Sequence, residues 1–95
     1  MSLNWGRRAQ RDLHELIVYI AEDSIQTAEL VASRILRSAE LLAQRPRAGR
    51  RGRVNGTREL VVLRTPYILV YRATARNVRV LRDYHGARRW PSRFD

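Results

Sequence analysis

There is no cysteine in the 95 residues, so neither a disulfide nor a thiolate nucleophile or metal ligand is available. Lysine is absent too: all nineteen basic residues are arginine. Only two histidines occur, His14 and His85, and their separation along the chain speaks against a histidine-based metal site. Carboxylate ligands stay open, but no metal and no other cofactor is expected. No apolar run approaches the roughly 20 residues of a membrane span. The start, Met1-Ser2-Leu3-Asn4-Trp5, lacks the charged-then-apolar layout of a signal peptide. The expectation is a soluble, cytoplasmic protein of one domain covering 1–95, with a modest core.

What is present in excess is positive charge. The formal net charge is +10 and the sequence pI is near 11.6. A GC-rich genome would favour arginine codons, and functional selection would too; composition does not separate the two. The physical consequence is common to both. Guanidinium groups fork onto phosphate and carboxylate and stay charged at any working pH. Such a chain seeks nucleic acid or an acidic protein.

The last third carries the clearest pattern. Glu59–Leu63, Tyr67–Tyr71 and Val78–Leu81 are β-favouring runs split by Thr65-Pro66 and by 74–77, which predicts an antiparallel meander. Leu60-Val61-Val62-Leu63 and Ile68-Leu69-Val70 do not alternate with polar residues, so both sheet faces are expected to be covered. Helices can cover one face; the tail (Trp90, Phe94) or a second protein must cover the other. Tyr67 and Tyr71 share one face and read as core, with stacking on nucleic-acid bases as the alternative.

Upstream, Ala9, Leu13, Leu16, Ile17 and Ile20 form one helical stripe, opposite Arg8, Arg11, Asp12, Glu15 and Glu22. His14 falls among polar neighbours and reads as solvated. Asp23-Ser24 breaks the pattern, with Asp23 and Gln26 at capping-box spacing. A second stripe, Ala28, Val31, Ile35, Ala39 and Leu42, is widened by Leu30, Leu36 and Leu41 and should stop at Gln44 or Arg45, before Pro46. Ser2–Trp5 is a candidate edge strand. The expected organisation is an antiparallel helical hairpin (7–45), an arginine-rich loop (46–56) and a β-meander with tail (57–95), an α+β fold. The loop, with five Arg, three Gly and no acid across 45–56, reads either as a solvated connection or as an anion-contacting arm.

The ordered set Trp5, Ala9, Asp12-Leu13, Tyr19-Ile20, Pro46, Gly49-Arg50, Gly56-Thr57-Arg58-Glu59-Leu60, Pro66-Tyr67, Val70-Tyr71-Arg72 and His85-Gly86-Ala87-Arg88, then Trp90-Pro91, resembles the RelE/ParE superfamily, on its ParE or plasmid-stabilisation side. These are toxins of type II toxin–antitoxin modules. The resemblance implies a helical hairpin on an antiparallel sheet and an acidic antitoxin partner, which would use Leu30, Leu36, Leu41, Val61 and Leu63. ParE-like members poison DNA gyrase; RelE-like members cleave mRNA in the ribosome. The RelE-type ribonucleases place lysines on the first meander strand and arginines on the next strand and after the last. Here there is no lysine, and Ile68 and Gly86 stand on or near those arginine positions.

Three functions follow: a gyrase poison, a ribosome-dependent endoribonuclease, and a non-toxic basic nucleic-acid-binding module. The first is favoured. If the protein is a ribonuclease, the resemblance assigns His85 as general acid or base, Glu59 as the base for the ribose 2′-OH, and Arg58, Arg72 or Arg82 as stabilisers of the pentavalent phosphate. The competing reading has His85 holding the tail by a hydrogen bond. Arg88 and Arg89 are expected to face the target and Trp90 to pack the tail, unless Arg88 or Arg89 pairs with Asp83 or Glu59.

Overall fold

The computed structural model describes residues 2–94. In chain order the elements are β1 (Ser2–Trp5), α1 (Arg7–Ala21), α2 (Ile25–Gln44), β2 (Arg50–Arg51), β3 (Arg58–Val61), β4 (Tyr67–Ala73) and β5 (Asn77–His85). They make two helices packed on a five-stranded sheet of order β1-β5-β4-β3-β2. Among the described residues no helix is long and apolar enough to cross a membrane.

The three meander strands pair antiparallel as expected, while β1 runs parallel to β5, with Leu3 opposite Val78 and Trp5 opposite Val80. The sheet is therefore mostly antiparallel. The segment expected to be loop throughout contains the two-residue strand β2, antiparallel to β3. That pairing depends on register between distant residues, which a polar, glycine-rich string does not announce.

Both helices lie on one face of the sheet. Ala9 and Leu16 of α1, and Val31, Ile35, Ala39 and Leu42 of α2, meet Leu69, Tyr71, Val78 and Val80 in one cluster. Ile35, Leu42 and Leu69 are completely buried, each contributing roughly 1.5–3 kcal/mol by leaving water. The α1–α2 turn differs in detail from the sequence reading. Asp23 still donates to the Ile20 carbonyl as part of α1's last turn, so Ser24 is the residue free to cap. Its hydroxyl accepts from the Thr27 N–H at 3.1 Å. α2 ends at Gln44, before Arg45-Pro46, as the proline requires.

A β-bulge on β5 controls what the outer face presents. Val70 pairs with Arg82 and Tyr71 with Val80, leaving Leu81 as the extra residue. Beyond it Asp83 and His85 share the helix-covered face with Leu69 and Tyr67, and Arg82 and Tyr84 share the opposite one. The tail covers that second face: Trp90 meets the Tyr84 ring edge-on at 5.2 Å and Phe94 lies 5.9 Å from it. The double-sided apolar strands are thus closed by this chain's own tail, with Ile68, Val70 and Tyr84 buried beneath.

Candidate functional site

Glu59 anchors the arginine-rich loop. It stands opposite Arg50 in the β2–β3 pairing and is almost fully buried. Its Oε1 accepts from Arg50 Nη2 at 2.9 Å, and its Oε2 accepts from the Arg53 backbone N–H at 2.7 Å and from Arg53 Nε at 3.2 Å. Burial pushes this carboxyl up. The Arg53 backbone N–H and the Arg50 and Arg53 guanidiniums outweigh it and hold Glu59 below the usual carboxylate range. The loop is tied down as well by Tyr71, whose hydroxyl accepts from Gly49 N–H at 2.9 Å and donates to the Pro46 carbonyl at 2.7 Å. A side chain at position 49 would collide with the Tyr71 ring and the Glu59 carbonyl. That contact explains the glycine.

From Glu59 a line of contacts crosses to the tail. The Arg53 guanidinium lies 3.7 Å from the centre of the Trp90 ring, Trp90 packs on Tyr84, and Arg82 and Arg88 sit 4.4 and 4.3 Å from the Tyr84 ring. Arg8, Arg82, Arg88, Arg89 and Trp90 line a shallow depression of about 480 Å³ on this outer face. Of the sequence-derived candidates, Arg82, Arg88, Arg89 and Trp90 are therefore brought together. The alternative pairing of Arg88 or Arg89 with Asp83 or Glu59 does not occur: Glu59 is held by Arg50 and Arg53, and Asp83 faces the core.

The ribonuclease constellation is dispersed. Glu59 and Arg72 are on the outer face, whereas Arg58 and His85 are on the face that carries the helices. Glu59 lies opposite Val70 and His85 opposite Tyr67, which is about 10 Å along the strand in addition to the thickness of the sheet. His85 holds the tail instead. Its Nδ1 accepts from Ala87 N–H at 3.1 Å, its carbonyl accepts from Arg88 N–H at 3.0 Å, and its ring meets Tyr67 edge-on at 5.6 Å.

Two carboxylates to which the sequence reading gives no functional role, Asp12 and Asp83, are buried side by side at β5. Asp12, assigned to the wet face of α1, is buried against β5 beyond the end of β1. It accepts from Arg82 Nε at 2.8 Å and Nη2 at 2.9 Å, and from the Asp83 backbone N–H at 3.0 Å. The open edge of β5 is capped in this way. Asp83 itself is buried with neither carboxyl oxygen hydrogen-bonded among the described residues. Burial, and then the neighbouring Asp12 charge, push its carboxyl up to about 7. No alternation marks Asp83, because only the bulge at Leu81 moves it onto the face of Val78 and Val80; for Asp12 the available signal is its place on α1 one turn before the buried Leu16. No group of three His, Cys, Asp or Glu residues that could hold a metal occurs among the described residues.

The apolar residues assigned to a partner fall in three places. Leu30 and Leu41 share a flank of α2 with Arg34, three helical turns apart, and Arg34 Nη1 donates to the Arg64 carbonyl at 3.2 Å, beside the turn that carries Leu63. Leu36 lies on the other flank, in a groove with Leu3, Trp5, Leu13 and Ile17. Val61 is on the outer sheet face opposite Ile68. All five are substantially exposed, Leu63 the most at 79%.

Comparison with known proteins agrees with this architecture. Residues 3–90 match the family described as ParE toxin of type II toxin-antitoxin system, parDE. A candidate toxin, Y4kP, of Sinorhizobium fredii (strain NBRC 101917 / NGR234) is 40% identical over 89 residues, 94% of this chain and 92% of that one. Toxin RelE2 of Caulobacter vibrioides is 36% identical over 84 residues, 88% of this chain and 93% of that one. A solved chain of the chromosomal ParDE TA system from P. aeruginosa superposes with a TM-score of 0.78 at 27% identity, covering 90% of this chain and 95% of that chain. Helical hairpin, sheet and arginine-rich surface thus define a toxin component of a type II toxin–antitoxin system. Within that class, the chain belongs to the ParE toxin family.

Proposed function

We propose that the protein arrests growth by binding and poisoning DNA gyrase in the cytoplasm, and that a small acidic antitoxin neutralises it. The observation carrying the gyrase reading is the separation of Glu59 from His85. Both Glu59 oxygens are occupied by arginine and backbone donors, and His85 is on the opposite face, so no acid and base flank one scissile phosphate. What remains for a target is a binding surface, the depression with Arg82, Arg88, Arg89 and Trp90. The RelE2-named relative supplies the competing reading, mRNA cleavage on the ribosome.

The two are separated by His85→Gln and by Arg88→Ala with Arg89→Ala. Growth inhibition and gyrase inhibition in a supercoiling assay should survive His85→Gln and weaken markedly in the double variant. For a ribonuclease, His85→Gln would remove proton transfer and cost on the order of 10²–10⁴ in cleavage rate. Cleavage on programmed ribosomes by wild type, abolished by His85→Gln, would replace the gyrase reading.

For the antitoxin, the supporting feature is the exposed Leu30/Leu41 flank beside Leu63. Leu30→Asp with Leu41→Asp should keep the fold, because both side chains are at the surface. It should abolish rescue when the neighbouring acidic protein is co-expressed, and the complex should disappear from size exclusion. Undiminished rescue would remove this flank from the interface.

A further inference from the structure

Arg51 and Arg58 are direct cross-strand partners on β2 and β3. Cβ atoms of such partners lie about 5 Å apart, and like charges placed directly opposite each other are destabilising. The neighbouring pair, Arg50 with Glu59, is compensated; this one is not. Among the described residues neither Arg47 nor Arg51 has a side-chain hydrogen-bond or ion-pair partner, and Arg58 gives one N–H to the Gly49 carbonyl at 2.9 Å. Two adjoining depressions, about 440 and 480 Å³, share Arg58 and Ala73 as their common wall. Arg51 lines the first and Arg47 the second, and no carboxylate lines either. At the rim of the first, Gly56 takes a φ of +78° in the turn leading into β3, a conformation that a residue with a Cβ rarely adopts.

We propose that this cleft binds successive phosphate groups, one clamped between Arg51 and Arg58 and the next reached by Arg47. The guanidinium fork matches phosphate oxygens bidentately, and an anion between Arg51 and Arg58 turns a repulsive pair into a clamp. Two depressions on either side of Arg58 call for at least two phosphates. A nucleic-acid backbone and a free oligophosphate share that chemistry. The cleft is separate from the tail surface, since Arg58 faces the helix-covered side and Arg82 and Arg88 the other. It requires neither gyrase nor antitoxin.

The test uses the full chain with two probes, inorganic triphosphate and a short single-stranded thymidine oligonucleotide. The variants are Arg47→Ala with Arg51→Ala in the cleft, and Arg88→Ala with Arg89→Ala on the tail face as a charge-matched control. At least one probe should bind wild type, lose about tenfold or more in affinity in the cleft variant, and keep its affinity in the control. For the oligonucleotide, the log–log salt slope should become shallower by about 0.7, the loss of the phosphate held by Arg47, while Arg58 still contacts the other. Binding of the oligonucleotide but not triphosphate identifies a nucleic-acid strand as the source; the reverse identifies a free oligophosphate. Without ligand the cleft variant should melt no lower than wild type, because a repulsion has been removed, and triphosphate or oligonucleotide should raise the melting temperature of wild type alone. Absence of binding by both probes, equal weakening in the two variants, or a lower melting temperature of the unliganded cleft variant would each overturn the assignment.

Discussion

Asp83→Asn is expected to stabilise the protein at pH 8 by about 2–4 kcal/mol and to leave it nearly unchanged at pH 4.5. The Asp83 carboxyl is raised from 3.8 to about 7 in the fold. Between those values the folded chain holds a proton that the unfolded chain has released. Its contribution is therefore fully present below about pH 4, declines as pH rises to about 7, and is lost above that. Three units correspond to roughly 4 kcal/mol at most. Asparagine is neutral throughout, but its amide is as poorly partnered as the carboxyl it replaces, so the gain falls short of the maximum. Glu59 works in the opposite direction, because its lowered pKa stabilises the fold above the unfolded value and that contribution is lost on acidification. The comparison must therefore be of variant with wild type at each pH. Urea unfolding at the two pH values measures it, and parallel pH–stability curves would show that Asp83 is not the titrating group.

Asp12→Ala is expected to cost about 3–5 kcal/mol, the range for removing one partner of a buried ion pair. Three bonds go at once: both from the Arg82 guanidinium, whose side chain is only 14% exposed, and the one that satisfies the Asp83 N–H at the bare edge of β5. The loss is tempered because Asp83 no longer faces a like charge. For the same reason the pH dependence of the variant should be shallower than that of wild type. Adding Arg82→Met should recover part of the stability, since the cation left behind, rather than the missing carboxylate, accounts for much of the penalty. Chemical denaturation of the two single variants and the double variant tests this. A double variant less stable than Asp12→Ala would show that the Arg82 packing against Tyr84 outweighs the unpaired charge.

Much of the architecture was legible because it rests on periodicity. The two helical stripes, the meander and its turns and the stop before Pro46 all follow from apolar spacing and from residues with restricted backbones, whereas apolar spacing calls for a cover on the outer face without choosing between the tail and a second protein. Asp12 was misassigned because a helical wheel separates wet from dry by count alone. It does not register that β1 stops at Trp5, leaving β5 with an edge N–H that needs an acceptor. The Glu59 clasp was illegible for a related reason. Its donors, Arg50 and Arg53, come from a string in which every second or third residue is arginine, and only the β2–β3 register selects two of them. His85 shows the reverse case. The sequence reading already favours a hydrogen bond to the tail over catalysis, and the contacts of His85 with the Ala87 N–H and the Tyr67 ring are of that kind.

The position of β5 in the sheet has a consequence for how the chain comes into being. The last strand made lies between the first and the fourth, and the parallel ladder joins Ser2 to Asn77. Closing so long a loop is entropically slow, and it cannot begin while residues beyond 77 are unmade. A nascent chain can form its helical hairpin early, but β1 has no partner and β4 lacks one neighbour until β5 has been made. The sheet therefore closes only once residues 77–85 have been made, after every other described element of the fold.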